Sequence, residues 1–114
     1  MQFLLLIYED EKRFTNLGKP EFGSELAEYQ AFGKEFAGAI QGGNALQPTA
    51  TAKTVRVRGG KPLATDGPFA ETKEQLGGYY LVEANNAEEA IGIAAKIPGA
   101  RYGSVEVRPI MKFS

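Results

Sequence analysis

Six consecutive apolar residues, Phe3-Leu4-Leu5-Leu6-Ile7-Tyr8, run near the start of the chain without a polar interruption. A strand buried on one face alternates apolar with polar side chains, whereas one covered on both faces reads as a continuous run. The pattern predicts a first strand over residues 2–8 that needs cover front and back. Residues 9–22 are largely polar and contain Gly18-Lys19-Pro20, so they read as a connection or flap. The period then changes. Leu26, Tyr29, Phe32, Phe36 and Ile40 recur at spacings of three and four, the stripe of an amphipathic helix over 24–40. Ser24 suits its N-cap, Glu25 its first turn, and Gly42-Gly43 its end. Interior Gly33 and Gly38 each cost about 1 kcal/mol relative to alanine, so packing must hold this helix together.

Leu46 and its neighbours read as a short strand. Lys53-Thr54-Val55-Arg56-Val57-Arg58, Gly59-Gly60 and Lys61-Pro62-Leu63-Ala64 predict a β-hairpin with a two-glycine turn. A further strand spans 78–83. Asn86 with Glu89 three residues on forms an N-cap box for a second helix over 87–96. Ala87, Ala90, Ile91, Ala94 and Ile97 give its inner face, and Pro98-Gly99 stops it. The last strand covers 104–110, where Pro109 marks a sheet edge or a strand end.

This order is a ferredoxin-like βαββαβ plan, class α+β, with an inserted β-hairpin. Two helices cover one sheet face only. A four-stranded sheet presents roughly 300 Å² per face, and an apolar face of that size is unusual in water. The first strand is apolar on both faces, so a second copy pressing sheet against sheet is the expected cover; the inserted hairpin folding over the face is the other.

Length and composition narrow the chemistry. At 114 residues the chain is a single domain, 1–114. There is no cysteine and no histidine, which removes disulfides, thiolate metal sites and every His-dependent nucleophile arrangement built from this chain alone. Three serines make a serine nucleophile a poor choice. Net charge −1 and a pI near 5.5 give no electrostatic case for direct nucleic-acid binding. The apolar run is far shorter than the ~20 residues of a membrane span, and no signal peptide is evident, so a cytoplasmic protein is expected. No metal-ligand spacing, phosphate-cradling loop or dinucleotide fingerprint is present, and no cofactor is expected.

The densest segment is DGPFAETKEQLGGYYLVEA, residues 66–84. In Asp66-Gly67-Pro68-Phe69 the proline ring fixes its own φ and pushes Gly67 away from helix, so the four residues read as a rigid turn. Together with FLLLIYE near the N-terminus and VEVRPI near the C-terminus, this string resembles the DGPF-domain branch of the YCII-related family. The resemblance implies a dimeric α/β barrel, hence a homodimer, and an association with extracytoplasmic-function sigma factors. YCII-like relatives nearest to enzymes are thought to use a His-Asp pair, and this chain has no histidine to carry over.

Candidate site residues follow, each with two readings. Asp66 is a catalytic general base if desolvated at a chamber mouth, or an Asx-turn residue accepting backbone bonds. Pro68 and Phe69 shape a pocket wall, or Phe69 packs in the core. Glu106 and Arg108 lie opposite Val105 and Val107 on the last strand, where they bind an anionic ligand or satisfy one another. Tyr8 meets a ligand through its hydroxyl or simply packs. Lys53, Arg56, Arg58 and Lys61 make the hairpin basic, as a solvated edge or a docking surface for an acidic partner. Two functions remain open: a homodimer binding a small organic acid or phenolic compound, with acid/base turnover of isomerase or lyase type through Asp66, or a non-enzymatic regulatory module that meets a sigma factor.

Overall fold

A computed structural model describes residues 1–113. Its strands are β1 (Gln2–Glu9), β2 (Ile40–Ala45), β3 (Lys53–Arg58), β4 (Lys61–Asp66), β5 (Gln75–Glu83) and β6 (Ser104–Pro109). The helices are α1 (Glu11–Thr15), α2 (Lys19–Glu35) and α3 (Ala87–Ala94), with short 3-10 turns at Thr49–Thr51 and Pro98–Arg101. Four strands form one sheet in the order β2-β5-β1-β6, and β3-β4 form a separate hairpin. Every neighbour pair in the large sheet is antiparallel. This is the expected ferredoxin-like α+β arrangement with an insertion between β2 and β5.

Burial along β1 alternates although its sequence does not. Phe3, Leu5, Ile7 and Glu9 are buried, while Leu4, Leu6 and Tyr8 are only half-buried. Phe3, Leu5 and Ile7 meet Phe32 of α2, Val82 of β5 and Ala90, Ile93, Ala94 and Ile97 in one core. Val105 and Val107 of β6 and Tyr80 of β5 pack against the same core. Leu4, Leu6 and Tyr8 therefore share the opposite face with Tyr79, Leu81, Glu106 and Arg108, and no helix among the described residues covers them. The shortest extent of the molecule, 19 Å, leaves room for two layers and no third. The hairpin does not fold over this face: β3 and β4 are exposed along nearly their whole length.

Three sequence expectations are corrected. The first helix begins at Lys19 rather than residue 24, because Pro20 lies in the first turn, where a missing N–H costs nothing. It ends at Glu35, and Ile40 with Gly42-Gly43 belongs to β2. Gly43 is needed there, since a Cβ would come within 2.7 Å of the Tyr79 carbonyl oxygen and the Tyr80 ring. On α3 the buried positions are Ala90, Ile93 and Ala94, while Ile91 and Ala87 face outward. The Asn86 cap is as expected, its side chain accepting from Glu89 N–H at 2.9 Å. The Glu89 carboxylate does not close the box but accepts from Asn85 Nδ2 at 3.0 Å. Both hairpin-turn glycines have positive φ, 58° at Gly59 and 76° at Gly60, as a two-residue turn requires.

Gly103, just before β6, allows the chain to pass against the end of β1. A Cβ there would overlap the Tyr8 carbonyl oxygen and stand 2.9 Å from Glu9 Cγ. A backbone oxygen inside a sheet cannot step aside, so Gly103→Ala should lower stability by about 2–3 kcal/mol. Gly92→Ala in α3 meets nothing within 4 Å and should raise stability by roughly 0.5–1 kcal/mol. Chemical denaturation of both variants checks the pair.

Candidate functional site

The residues singled out in the sequence fall into two groups. Tyr8, Glu106 and Arg108 share the uncovered sheet face, in register across β1 and β6: Leu4 opposes Arg108, Leu6 opposes Glu106 and Tyr8 opposes Ser104. Arg108 Nε donates to Glu106 Oε2 at 2.7 Å, so these two charges satisfy one another in the single subunit. The second group lies at the base of the hairpin. Asp66 pairs with Lys53 directly across β3-β4, and its side chain is 84% exposed. Its carboxylate thus serves an ion pair rather than an Asx-turn. Gly67, at φ 95°, donates to the Ala52 carbonyl at 2.8 Å and fixes the turn. Pro68 lines a shallow cavity with Asp10, Thr49 and Gln75. Phe69 is 81% exposed, which rules out the core-packing reading within one subunit.

A third cluster was not legible from the sequence. Glu9 ends β1 on the core-facing side, with its side chain only 4% exposed. Arg13 of α1, one turn further on, donates to Glu9 Oε2 at 3.3 Å. The same guanidinium grips Glu25 of α2 through both oxygens, at 3.3 and 2.8 Å. It also stacks on the Tyr102 ring, 3.6 Å from its centroid. One cation thus holds two buried carboxylates, a fork geometry suited to arginine. The remaining oxygen, Glu9 Oε1, is buried without a hydrogen-bond partner among the described residues. It lies against Gly99, where a Cβ would overlap it and stand 2.8 Å from the Tyr29 hydroxyl.

Burial raises the Glu9 pKa, Glu25 raises it further, and Arg13 opposes both. Burial, then the Glu9 charge, pushes the Tyr29 hydroxyl well above its ordinary range, with the neighbouring Gly99 backbone opposing the shift. A carboxyl biased toward its protonated form and a phenol near it can donate hydrogen bonds or exchange a proton.

These two groups line a cavity of about 780 Å³. Its walls include Phe14 of α1, Phe22 and Leu26 of α2, Leu46 after β2 and Tyr80 of β5. Four of them are large apolar side chains left between 43% and 48% exposed: Phe14, Phe22, Leu26 and Leu46. Their convergence on one hollow is more informative than any one of them exposed alone. The cavity wall is braced by α1. Asp10 caps that helix by accepting from Lys12 N–H, and Glu11 accepts from Thr49 N–H at 2.8 Å and Thr49 Oγ1 at 2.9 Å. Gln75 Oε1 accepts from Glu11 N–H at 2.9 Å. A five-residue helix has no stability of its own, so these ties keep it in place.

Residues 9–22, expected as a polar connection, thus supply a buried acid, its arginine and one wall of the cavity. The available signal was Phe14 and Phe22, two aromatics in an otherwise polar stretch.

The model of the YCII-related domain matches residues 1–114. An uncharacterized protein of Rhizobium meliloti (strain 1021) is 36% identical over 114 residues, covering 96% of this chain and 92% of that relative. The relative's name carries no activity with it. The match over the whole chain, with β1, β5, β6, the hairpin and the turn at Gly67 close to their expected places, identifies this protein as a member of the YCII-related domain family.

Proposed function

We propose that the protein binds a small, mainly apolar metabolite in the cavity between α1, α2 and the β2-β5 edge, and that it works as a homodimer. The observation that carries this reading is the convergence of Phe14, Phe22, Leu26 and Leu46 on one hollow with a buried carboxyl at its wall, one oxygen of which has no hydrogen-bond partner among the described residues. Its volume of about 780 Å³ is of the size that holds a compact organic molecule. The uncovered face of Leu4, Leu6, Tyr8, Tyr79 and Leu81 supports the homodimer, because a second copy offers a matching face by two-fold symmetry. A chamber closed between the two sheets would take in Tyr8, Glu106 and Arg108. Acid/base turnover is the narrower form of the reading. Glu9 is better enclosed for that role than Asp66, which would need a wall supplied by the partner copy.

The second reading is an interaction module, favoured by the hairpin. Val55, Val57 and Leu63 are 63%, 60% and 52% exposed, and an isolated two-stranded ribbon is marginal in water without something to pack on. A partner protein such as a sigma factor would supply that surface.

A thermal-shift screen of neutral aromatics, phenols and small carboxylic acids separates the two. A ligand at about a hundredfold excess over its Kd should stabilise the fold by about 2.7 kcal/mol. Phe22→Ser, at a half-exposed wall position, should abolish that gain while leaving the unliganded melting temperature nearly unchanged. An empty screen would turn the argument toward the interaction module.

A further inference from the structure

Resting on the cavity reading above, we propose that the Tyr29 hydroxyl is its polar anchor, donating to a phenolic or carbonyl oxygen on a compact aromatic ligand, with Glu9 as the positioning residue that decides whether that oxygen can carry charge. The walls already specify most of the ligand. Phe14, Phe22, Leu26, Leu46 and Tyr80 favour a planar apolar body. Polar groups at the rim are Glu11, Lys12, Thr15, Asn44 and Gln47, and the buried ones at the floor are Glu9 and Tyr29.

Arg13, behind the floor, is engaged with Glu25 through both carboxylate oxygens and with Glu9, so it has little left to offer an anionic ligand, and Lys12, the cation on the wall itself, stands beside the opposite charge of Glu11. The Tyr29 hydroxyl lies against the Gly99 backbone and burial holds its proton on the oxygen, so it has a proton to donate. A carbonyl or phenolic oxygen accepts it; an aromatic hydrocarbon cannot.

Glu9 sets the charge condition. Its side chain faces Arg13 from α1, Glu25 and Tyr29 from α2, and Glu74 from the segment before β5. With Glu9 and Glu25 both ionised, one arginine faces two carboxylates, and a third negative charge on a ligand is opposed. With Glu9 protonated, the floor is formally neutral and an oxyanion is tolerated. A tyrosine hydroxyl beside a carboxyl kept neutral by burial is a known way to hold such an oxygen. The floor therefore selects phenols and aromatic ketones over permanently ionised carboxylates.

The test uses 4-nitrophenol, nitrobenzene and benzoate as probes on the intact protein, with binding read by calorimetry. Wild type should bind 4-nitrophenol about tenfold more tightly than nitrobenzene, the equivalent of one good hydrogen bond. Tyr29→Phe should erase that preference while nitrobenzene binding persists. Benzoate should bind most weakly. The visible absorbance of bound 4-nitrophenol reports its ionisation directly. Its titration should lie higher in wild type than in Glu9→Gln by about one pH unit, because Glu9 and the ligand compete for one proton. That readout would not move if Glu9 were merely structural. Equal binding of the two nitroaromatics, or a preference that survives Tyr29→Phe, would overturn the anchor while leaving the cavity in place. Superimposable titrations would overturn the role of Glu9. No binding of any aromatic probe would overturn both this inference and the cavity reading beneath it.

Discussion

Arg13→Met should destabilise the protein by about 3–5 kcal/mol at neutral pH, because it leaves two buried carboxylates without their cation. Their side chains are 4% and 8% exposed, so water cannot replace the guanidinium. Out of the roughly 5–15 kcal/mol that holds a domain of this size together, such a loss is severe. The pH dependence identifies the cause. Folding favours protonated Glu9, since burial raises its pKa above the ordinary value of 4.5. Stability from this group is fully present below that ordinary value and is lost as pH rises through the raised one. The stability difference between wild type and Glu9→Gln should therefore shift in favour of Glu9→Gln as pH climbs from about 4 to about 8. In Arg13→Met the dependence should steepen, because the cation that restrains the shift is gone. Adding Glu9→Gln to Arg13→Met should recover part of the loss, a coupling that a double-mutant cycle by urea denaturation measures. Additive losses with no pH dependence would mean that the cluster contributes packing alone.

Leu4→Glu should convert a homodimer into a folded monomer. Leu4 sits on the uncovered face, and its cross-strand neighbours are Leu81 on β5 and Arg108 on β6. In a lone subunit the new carboxylate lies opposite Arg108, so the fold tolerates it. Between two subunits it would stand in an apolar interface, and two-fold symmetry makes the substitution count twice. Burying a leucine contributes about 1.5–3 kcal/mol, so with two copies association should weaken at least about a hundredfold, read by sedimentation equilibrium. Wild type sedimenting as a monomer at micromolar concentration would remove the interface altogether.

The strands were legible because local signals agreed with tertiary placement. The apolar run in β1, the glycine pair of the hairpin and the Asn86 cap each specify one conformation. The start of α2 was obscured because Gly18 and Pro20 signal a loop in general, yet a proline in the first helical turn is tolerated. Its end was overrun because Ile40 continues the helical spacing by coincidence. Ile40 in fact opens β2, where the following Gly43 permits close approach to β5. The site was harder to read. Asp66 and Phe69 stand out in sequence because their turn is distinctive, but in one subunit they are exposed. Glu9, Arg13 and Glu25 each look like ordinary surface charges, and only the packing of α1 and α2 against the end of β1 buries two of them around the third. Tyr29 reads as one more member of an apolar stripe; its polar tip becomes evident only beside Gly99.

The most direct test is a titration of leucine-methyl-labelled protein with 4-nitrophenol, followed by NMR. The cavity between α1, α2 and the β2-β5 edge predicts saturable shifts at the Leu26 and Leu46 methyls, with Leu4, Leu6 and Leu81 on the opposite sheet face unmoved. Shifts confined to Leu4, Leu6 and Leu81 would place the ligand between paired sheets instead and contradict the site described here.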